Sequence, residues 1–224
     1  MWRLIVPLMI CVLLASCTSV PLTVEQQNSS SAQSSSTGTL FDEMESESSS
    51  QSGSLLNSIP VQLSLSGAVE FGDSEAKHTV LAFLTPGSPY SAQFGQDVLP
   101  ELLRTYIATE KIHLRIFFVP FKRYPQTTAA TAQFLCAVLQ GKGEQALPLL
   151  LTNPLSLGNT DLGVDKKLFS SCMKDPAILQ TVRLQQDLAH SMQVTLVPTL
   201  FIDGEKHVGL PTWADLRGQI DQAL

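Results

Sequence analysis

The residues best placed for chemistry stand at one junction, Thr85-Pro86-Gly87-Ser88-Pro89-Tyr90-Ser91. Two hydroxyls three residues apart follow the apolar run TVLAFL (79–84) and open a helical pattern. Ser88 is a natural N-cap, Pro89 a natural first helical residue and Ser91 a first-turn residue. The cysteines form a second group. Cys11 and Cys17 fall in an apolar leader, whereas Cys136 and Cys172 lie in the apolar contexts FLCAVL and LFSSCM. Neither pair is a Cys-x-x-Cys, and burial in a helix interior works against thiolate formation. His78, His113, His190 and His207 show no metal-ligand spacing and no carboxylate cluster. They read as surface or core histidines, and no metal site is expected.

The elements that must hold the junction follow from hydrophobic periodicity. Residues 59–65, IPVQLSL, alternate as a short strand, and TVLAFL reads as a central strand buried on both faces. Phe94, Val98, Leu102 and Tyr106 recur every four residues, with Leu99, Leu103 and Ile107 widening the stripe. Pro100 lies inside this helix and is expected to kink it. IHLRIFFV (112–119) is a second strand with partial alternation. Helical stretches follow from TTAATAQFLCAVLQ to PAILQTVRLQQDLAHSM, divided by Asn-Pro, Gly-Asn and Asp-Pro breaks. Residues 196–202 read as a strand interrupted by Pro198, Asp203-Gly204 as a hairpin turn, and Lys206-His207-Val208 as the returning strand. Thr212 caps a last helix. Trp213 and Phe201 read as packing residues.

The first sixty residues are of another kind. The chain of 224 residues opens MWRLIVPLMICVLLASC, with Arg3, an apolar run and then small residues. That layout is a secretory signal, and the run is shorter than the roughly 20 residues a membrane span needs. The ending Leu14-Ala15-Ser16-Cys17 resembles the lipobox of bacterial lipoproteins, which implies a leader at 1–16 and a diacylated Cys17; an ordinary cleaved signal is the alternative. From 17 to 57 serine dominates, and every charge (Glu25, Asp42, Glu43, Glu45, Glu47) is acidic. Such a segment cannot bury enough apolar surface to offset its ordering entropy, so it reads as a flexible tether with a reach on the order of 35 Å. Residues 58–224 then form the one candidate domain. After residue 58, 13 Lys and Arg stand against 15 Asp and Glu, with no basic stripe, so a nucleic-acid partner is not expected.

The order strand-helix-strand, helical block, hairpin, helix is that of an α/β thioredoxin fold with an all-helical insertion, here at about 124–190. Several pieces in this order resemble the DsbA-like branch of thiol-disulfide oxidoreductases. They are Gly72-Asp73-Ser74-Glu75-Ala76, Ser88-Pro89-Tyr90-Ser91, the VLPELL of the first helix, Val119-Pro120-Phe121, Gln140-Gly141-Lys142, the FSSC ending at Cys172, and Val197-Pro198-Thr199 leading to Phe201-Ile202-Asp203-Gly204. The resemblance implies that Ser88 stands at the attacking and Ser91 at the resolving position of a Cys-x-x-Cys pair. It implies a cis Val197-Pro198 bond, with the backbone of Val197 offered to an extended substrate. Cys136 and Cys172 read as a structural disulfide in an exported protein, which agrees with the second Cys pair often found across the insertion in this family; two free buried thiols are the alternative.

Serine cannot carry out the family's reaction. Oxygen forms no persistent analogue of a disulfide, and an alcohol ionises too far above a thiol for roughly 1 kcal/mol of helix dipole to bridge. The expected function is therefore a non-catalytic, cell-envelope lipoprotein that binds an extended polypeptide or a partner protein. It would use Ser88, Pro89, Tyr90, Val197 and Pro198, without a cofactor, and meet the membrane through its lipid. Two alternatives stand beside it. The Ser-Pro-Tyr-Ser also resembles kappa-class glutathione transferases and related isomerases, which would have the Ser88 hydroxyl donate to the glutathione thiolate. The serines could equally mark a Cys-to-Ser variant of an oxidoreductase.

Overall fold

The computed structural model describes residues 61–224. The leader at 1–16, the tether at 17–57 and Cys17 lie outside the described residues. Two short strands come first, β1 (Gln62–Leu63) and β2 (Val69–Phe71), followed by β3 (His78–Leu84). Helix α1 runs in four segments, Pro89–Gln93, Phe94–Val98, Leu99–Leu102 and Leu103–Ile107, and leads to β4 (Ile112–Phe118). The helical block comprises α2 (Thr127–Val138), α3 (Gly143–Thr152), α4 (Lys166–Cys172) and α5 (Pro176–Ser191). A hairpin of β5 (Thr199–Ile202) and β6 (Glu205–Val208) and helix α6 (Trp213–Ala223) complete the chain.

The six strands form one mixed sheet in the order β1-β2-β4-β3-β5-β6. Only β3 and β4 are parallel, the pairing that needs a crossover, and α1 supplies it. This central position explains the near-continuous apolar runs of both strands. β4 was expected to alternate, but of its residues only Arg115 is more than marginally exposed. His113 and Arg115 occupy one face because Glu70 on β2 meets them there, Arg115 Nε at 2.9 Å and His113 Nε2 at 3.4 Å. Val80, Ala82 and Leu84 pack with the expected stripe of α1 and with Leu216 and Ile220 of α6. Phe83, Phe117 and Phe201 pack on the other face against Ala189 of α5.

Three local expectations change. The disturbance expected at Pro100 takes the form of a segmented α1. Pro100 sits at the start of the third segment, between two π turns in which Leu99 N–H donates to Phe94 O and Ala108 N–H to Leu103 O. The widened turns absorb the missing donor and the ring, so the buried stripe from Phe94 to Ile107 stays in register. Of the strand expected at 59–65, the described residues pair at Gln62 and Leu63, and a turn closed by Gly67 N–H on Ser64 O, with Gly67 at φ +80°, ends it. The strand expected at 196–202 starts at Thr199, since Pro198 has no N–H to give the ladder.

Cys136 and Cys172 are bonded to each other, with their Cα atoms 5.9 Å apart. Cys136 is buried within α2, while Cys172 ends α4 and is only partly buried, not in a helix interior. Trp213 packs against Tyr106, ring centroids 6.1 Å apart.

Candidate functional site

The turn from β3 into α1 follows from its sequence. Ser88 N–H donates to Thr85 O at 3.1 Å, and Gly87, behind Pro86, has φ +80°. Proline followed by a positive-φ glycine is the pattern of a type II turn, which a side chain at 87 would strain. Ser88 then takes the N-cap position of α1 (φ −79°, ψ 125°), but its side chain makes no cap hydrogen bond. Asp165, Asp175 and Thr212 do cap α4, α5 and α6 through their side chains. The capping role expected of Ser88 is thus positional only.

Ser91 is fully buried, and its Oγ accepts the Thr85 N–H at 3.0 Å. Thr85 Oγ1 in turn donates to Val119 O at 2.8 Å, tying the end of β3 to the loop after β4. Thr127 Oγ1 donates to Tyr124 O at 2.7 Å and lies 3.3 Å from Pro86 O. The loop of residues 119–127 and the β3–α1 turn are therefore held against each other by hydroxyl-to-backbone bonds.

The opposite wall comes from the approach to β5. The Val197-Pro198 peptide bond is cis. Thr199 Oγ1 donates to Leu196 O at 2.7 Å, and Gly209 N–H donates to Pro198 O at 2.9 Å. Between these bonds, the N–H and C=O of Val197 have no hydrogen-bond partner among the described residues.

Between the two walls lies a groove of about 640 Å³, lined by Ser88, Tyr90, Phe121, Tyr124, Leu196 and Val197, together with Arg123 and Leu210. Topology explains why these distant residues meet. β4 and β3 end, β5 begins and β6 ends at the same end of the sheet, and these four strands are consecutive neighbours. The loops at that end must then lie side by side.

Of the residues expected at the site, Ser88, Tyr90 and Val197 line this groove. Pro89 faces an adjoining cleft of about 590 Å³ between α1 and α3, to which Ser88 also contributes. Ser91 is closed off behind the turn, and Pro198 stands behind Val197 without lining the groove. Tyr124, Leu210 and Arg123 went unnoticed in the sequence. The Lys122-Arg123-Tyr124 run in the loop after β4, outside any helical or strand period, is the signal that could have marked Arg123 and Tyr124.

Among the described residues no imidazole or carboxylate lines the groove, and Asp97 lines only the adjoining cleft that Ser88 shares. The histidines are elsewhere, and three lie near a carboxylate that the sequence did not reveal, His207 most distantly, with its Nε2 3.9 Å from Glu205 Oε1. His78 Nδ1 lies 2.7 Å from Asp203 Oδ2, and His113 faces Glu70. The groove is equipped for contact, with aromatic and aliphatic walls, one free backbone pair and one guanidinium.

The sequence pattern of the family described as Thioredoxin matches residues 65–222. No curated protein matches the chain in sequence. Among solved structures, BdbD from Bacillus subtilis superposes with a TM-score of 0.62 at 14% identity, over 73% of this chain and 96% of that one. A thioredoxin-like oxidoreductase from Silicibacter pomeroyi gives 0.61 at 21% identity, over 76% and 95%. The thiol-disulfide exchange protein alpha-DsbA2 from Wolbachia pipientis gives 0.59 at 18% identity, over 80% and 100%.

Proposed function

We propose that this chain, which belongs to the thioredoxin family, is a non-catalytic member that holds an extended segment of another polypeptide in the cell envelope. The observation that carries this reading is the groove itself. It is walled by the β3–α1 turn and by Val197, yet the two positions where a redox pair would stand are Ser88 and Ser91. An extended segment can pair with the free N–H and C=O of Val197 in the manner of an added strand, while its side chains enter the apolar walls. None of this requires sulfur. Disulfide exchange does, and neither serine can form the mixed disulfide on which it depends.

Export and anchoring belong to the same proposal. The Leu14-Ala15-Ser16-Cys17 ending supports a diacylated Cys17 as the first mature residue, with the serine-rich stretch to residue 57 as a spacer. Among the described residues no helix is long and apolar enough to cross a membrane. Mass spectrometry of the protein recovered from its own membranes reads this directly. A diacyl mass on an N-terminal Cys17 is expected, and an unmodified Cys17 would remove the anchor from the proposal.

The central test is an insulin-reduction assay. The natural chain is expected to show no rate above background, and the double variant Ser88→Cys with Ser91→Cys to gain a measurable one. The attacking thiol would then stand at a helix start, where thiolate is favoured. Exchange catalysed by the natural chain would overturn the proposal.

A second reading has one observation in its favour, the Ser88 hydroxyl, which lines the groove and makes no cap bond. Such a hydroxyl has no intramolecular acceptor among the described residues and, although Ser88 is only 2% exposed, can donate to a glutathione thiolate that enters the groove. Thermal stabilisation of the natural chain by millimolar glutathione, lost in Ser88→Ala, would replace polypeptide binding with this activity.

A further inference from the structure

Arg123 differs from the other groups around the groove. Among the described residues it is the only charged one that lines the groove, and no acidic side chain does. Of the other described arginines, Arg104, Arg115 and Arg217 are neutralised locally by Glu101, Glu70 and Asp221, whereas Arg183 on α5 has no ion pair but lies away from the groove. Among the described residues Arg123 has no carboxylate within ion-pair distance and no hydrogen bond. Lys122 beside it is exposed. Carboxylates face the neighbouring clefts instead, Asp97 beside Trp213 and Asp215 beside β6, where Thr212 Oγ1 holds Asp215 at 2.6 Å. A domain with 13 Lys and Arg against 15 Asp and Glu thus shows an unneutralised cation in an apolar groove.

We infer that the groove selects extended polypeptide segments that carry an acidic residue beside large apolar ones, with Arg123 pairing the carboxylate. This rests on the polypeptide-binding reading and adds the chemistry of the occupant. Tyr90 and Leu196 stand at the rim 61% and 62% exposed, so an apolar side chain laid between them removes surface that is now in water. Arg123, in the loop after β4, and Val197, just before β5, line this same groove. One short segment can therefore pair with the Val197 backbone and reach Arg123 with a carboxylate. A lipid surface could meet the same exposed residues and the same cations. The concave shape and the directional N–H and C=O of Val197 favour a polypeptide, whose own backbone supplies both partners.

The test uses the intact protein in neutral detergent and capped hexapeptides of leucine, valine and tyrosine. One Asp, Asn or Lys is scanned through each position, and Kd is read by fluorescence anisotropy. Asp peptides are expected to bind about three- to fivefold tighter than Asn peptides at one or two adjacent positions, as befits an exposed ion pair. The advantage should disappear in Arg123→Gln and turn toward Lys peptides in Arg123→Glu, while Lys111→Gln leaves it unchanged. Equal binding of Asp and Asn peptides would overturn the acidic preference and leave polypeptide binding standing. Binding of no peptide would overturn both, and so would capture of anionic phosphatidylglycerol vesicles through Arg123 without peptide binding.

Discussion

Ser91 spends its hydroxyl on the backbone, and Ser88 does not. The Ser91 Oγ accepts the Thr85 N–H in a fully buried setting, so removing it strands a donor. Leaving such a group unpaired costs about 1–3 kcal/mol, and Ser91→Ala is expected to lower unfolding stability by that amount in a urea titration. Ser88→Ala, with no cap bond to lose, should stay within about 0.5 kcal/mol, below the usual cost of removing a capping serine. Equal losses in the two variants would show that the hydroxyls are not distinguished in this way. Both serines were visible in the sequence as helix-start residues. Which of them is engaged was not, because the donor from Thr85 is positioned only when the end of β3 folds over the first turn of α1.

The β5–β6 turn is tied to the start of β3 through one side chain. Asp203 and Gly204 both have positive φ, 46° and 92°, as a two-residue hairpin of this sequence demands, and this turn was legible from the Asp-Gly pair. Its second role was not legible. Asp203 Oδ1 accepts the Thr79 N–H at 2.8 Å, and Oδ2 meets His78 Nδ1 at 2.7 Å. Burial by itself would raise the Asp203 carboxyl. The hydrogen bonds from His78 and Thr79, with the charges of His78 and Lys77, outweigh it and hold the group below its ordinary value of 3.8. A depressed carboxyl stabilises the fold above the unfolded-state value and loses that contribution as pH falls through the folded-state value. The stability difference between the natural chain and Asp203→Asn is therefore expected to be full near neutral pH and to shrink below about pH 4. A difference that stays constant from pH 7 to pH 3 would contradict the ionised staple. Helix α5 holds a similar surprise, since Gln185 is buried and its Oε1 accepts the Phe118 N–H at 2.6 Å. A polar residue inside an amphipathic helix carries no mark of such a partner on a strand far away in sequence.

Across the whole molecule, the helical block is joined by the Cys136–Cys172 bridge between α2 and α4, and a third apolar cluster of Ala132, Leu135, Ile178 and Val182 packs around it. The bridge closes a loop across 36 positions, and such cross-links contribute about 2–4 kcal/mol, mostly by restricting the unfolded chain. Cys136→Ala with Cys172→Ala should lower the denaturation midpoint accordingly, and dithiothreitol should then cause no further fall. An unchanged midpoint would mean that the bridge restrains little. Element order, the buried stripe of α1, the Asp203-Gly204 turn and the lack of sulfur at 88 and 91 were determined by the sequence alone. They depend on periodicity, on turn residues and on atom type, all of which are local. The tertiary structure alone decided that Val197 keeps a free N–H and C=O among the described residues, that Pro89 and Ser91 turn away from the groove, and that Arg123 enters it. Those outcomes depend on β4, β3, β5 and β6 ending side by side, which brings residues 88, 123 and 197 together across a distance no local pattern spans.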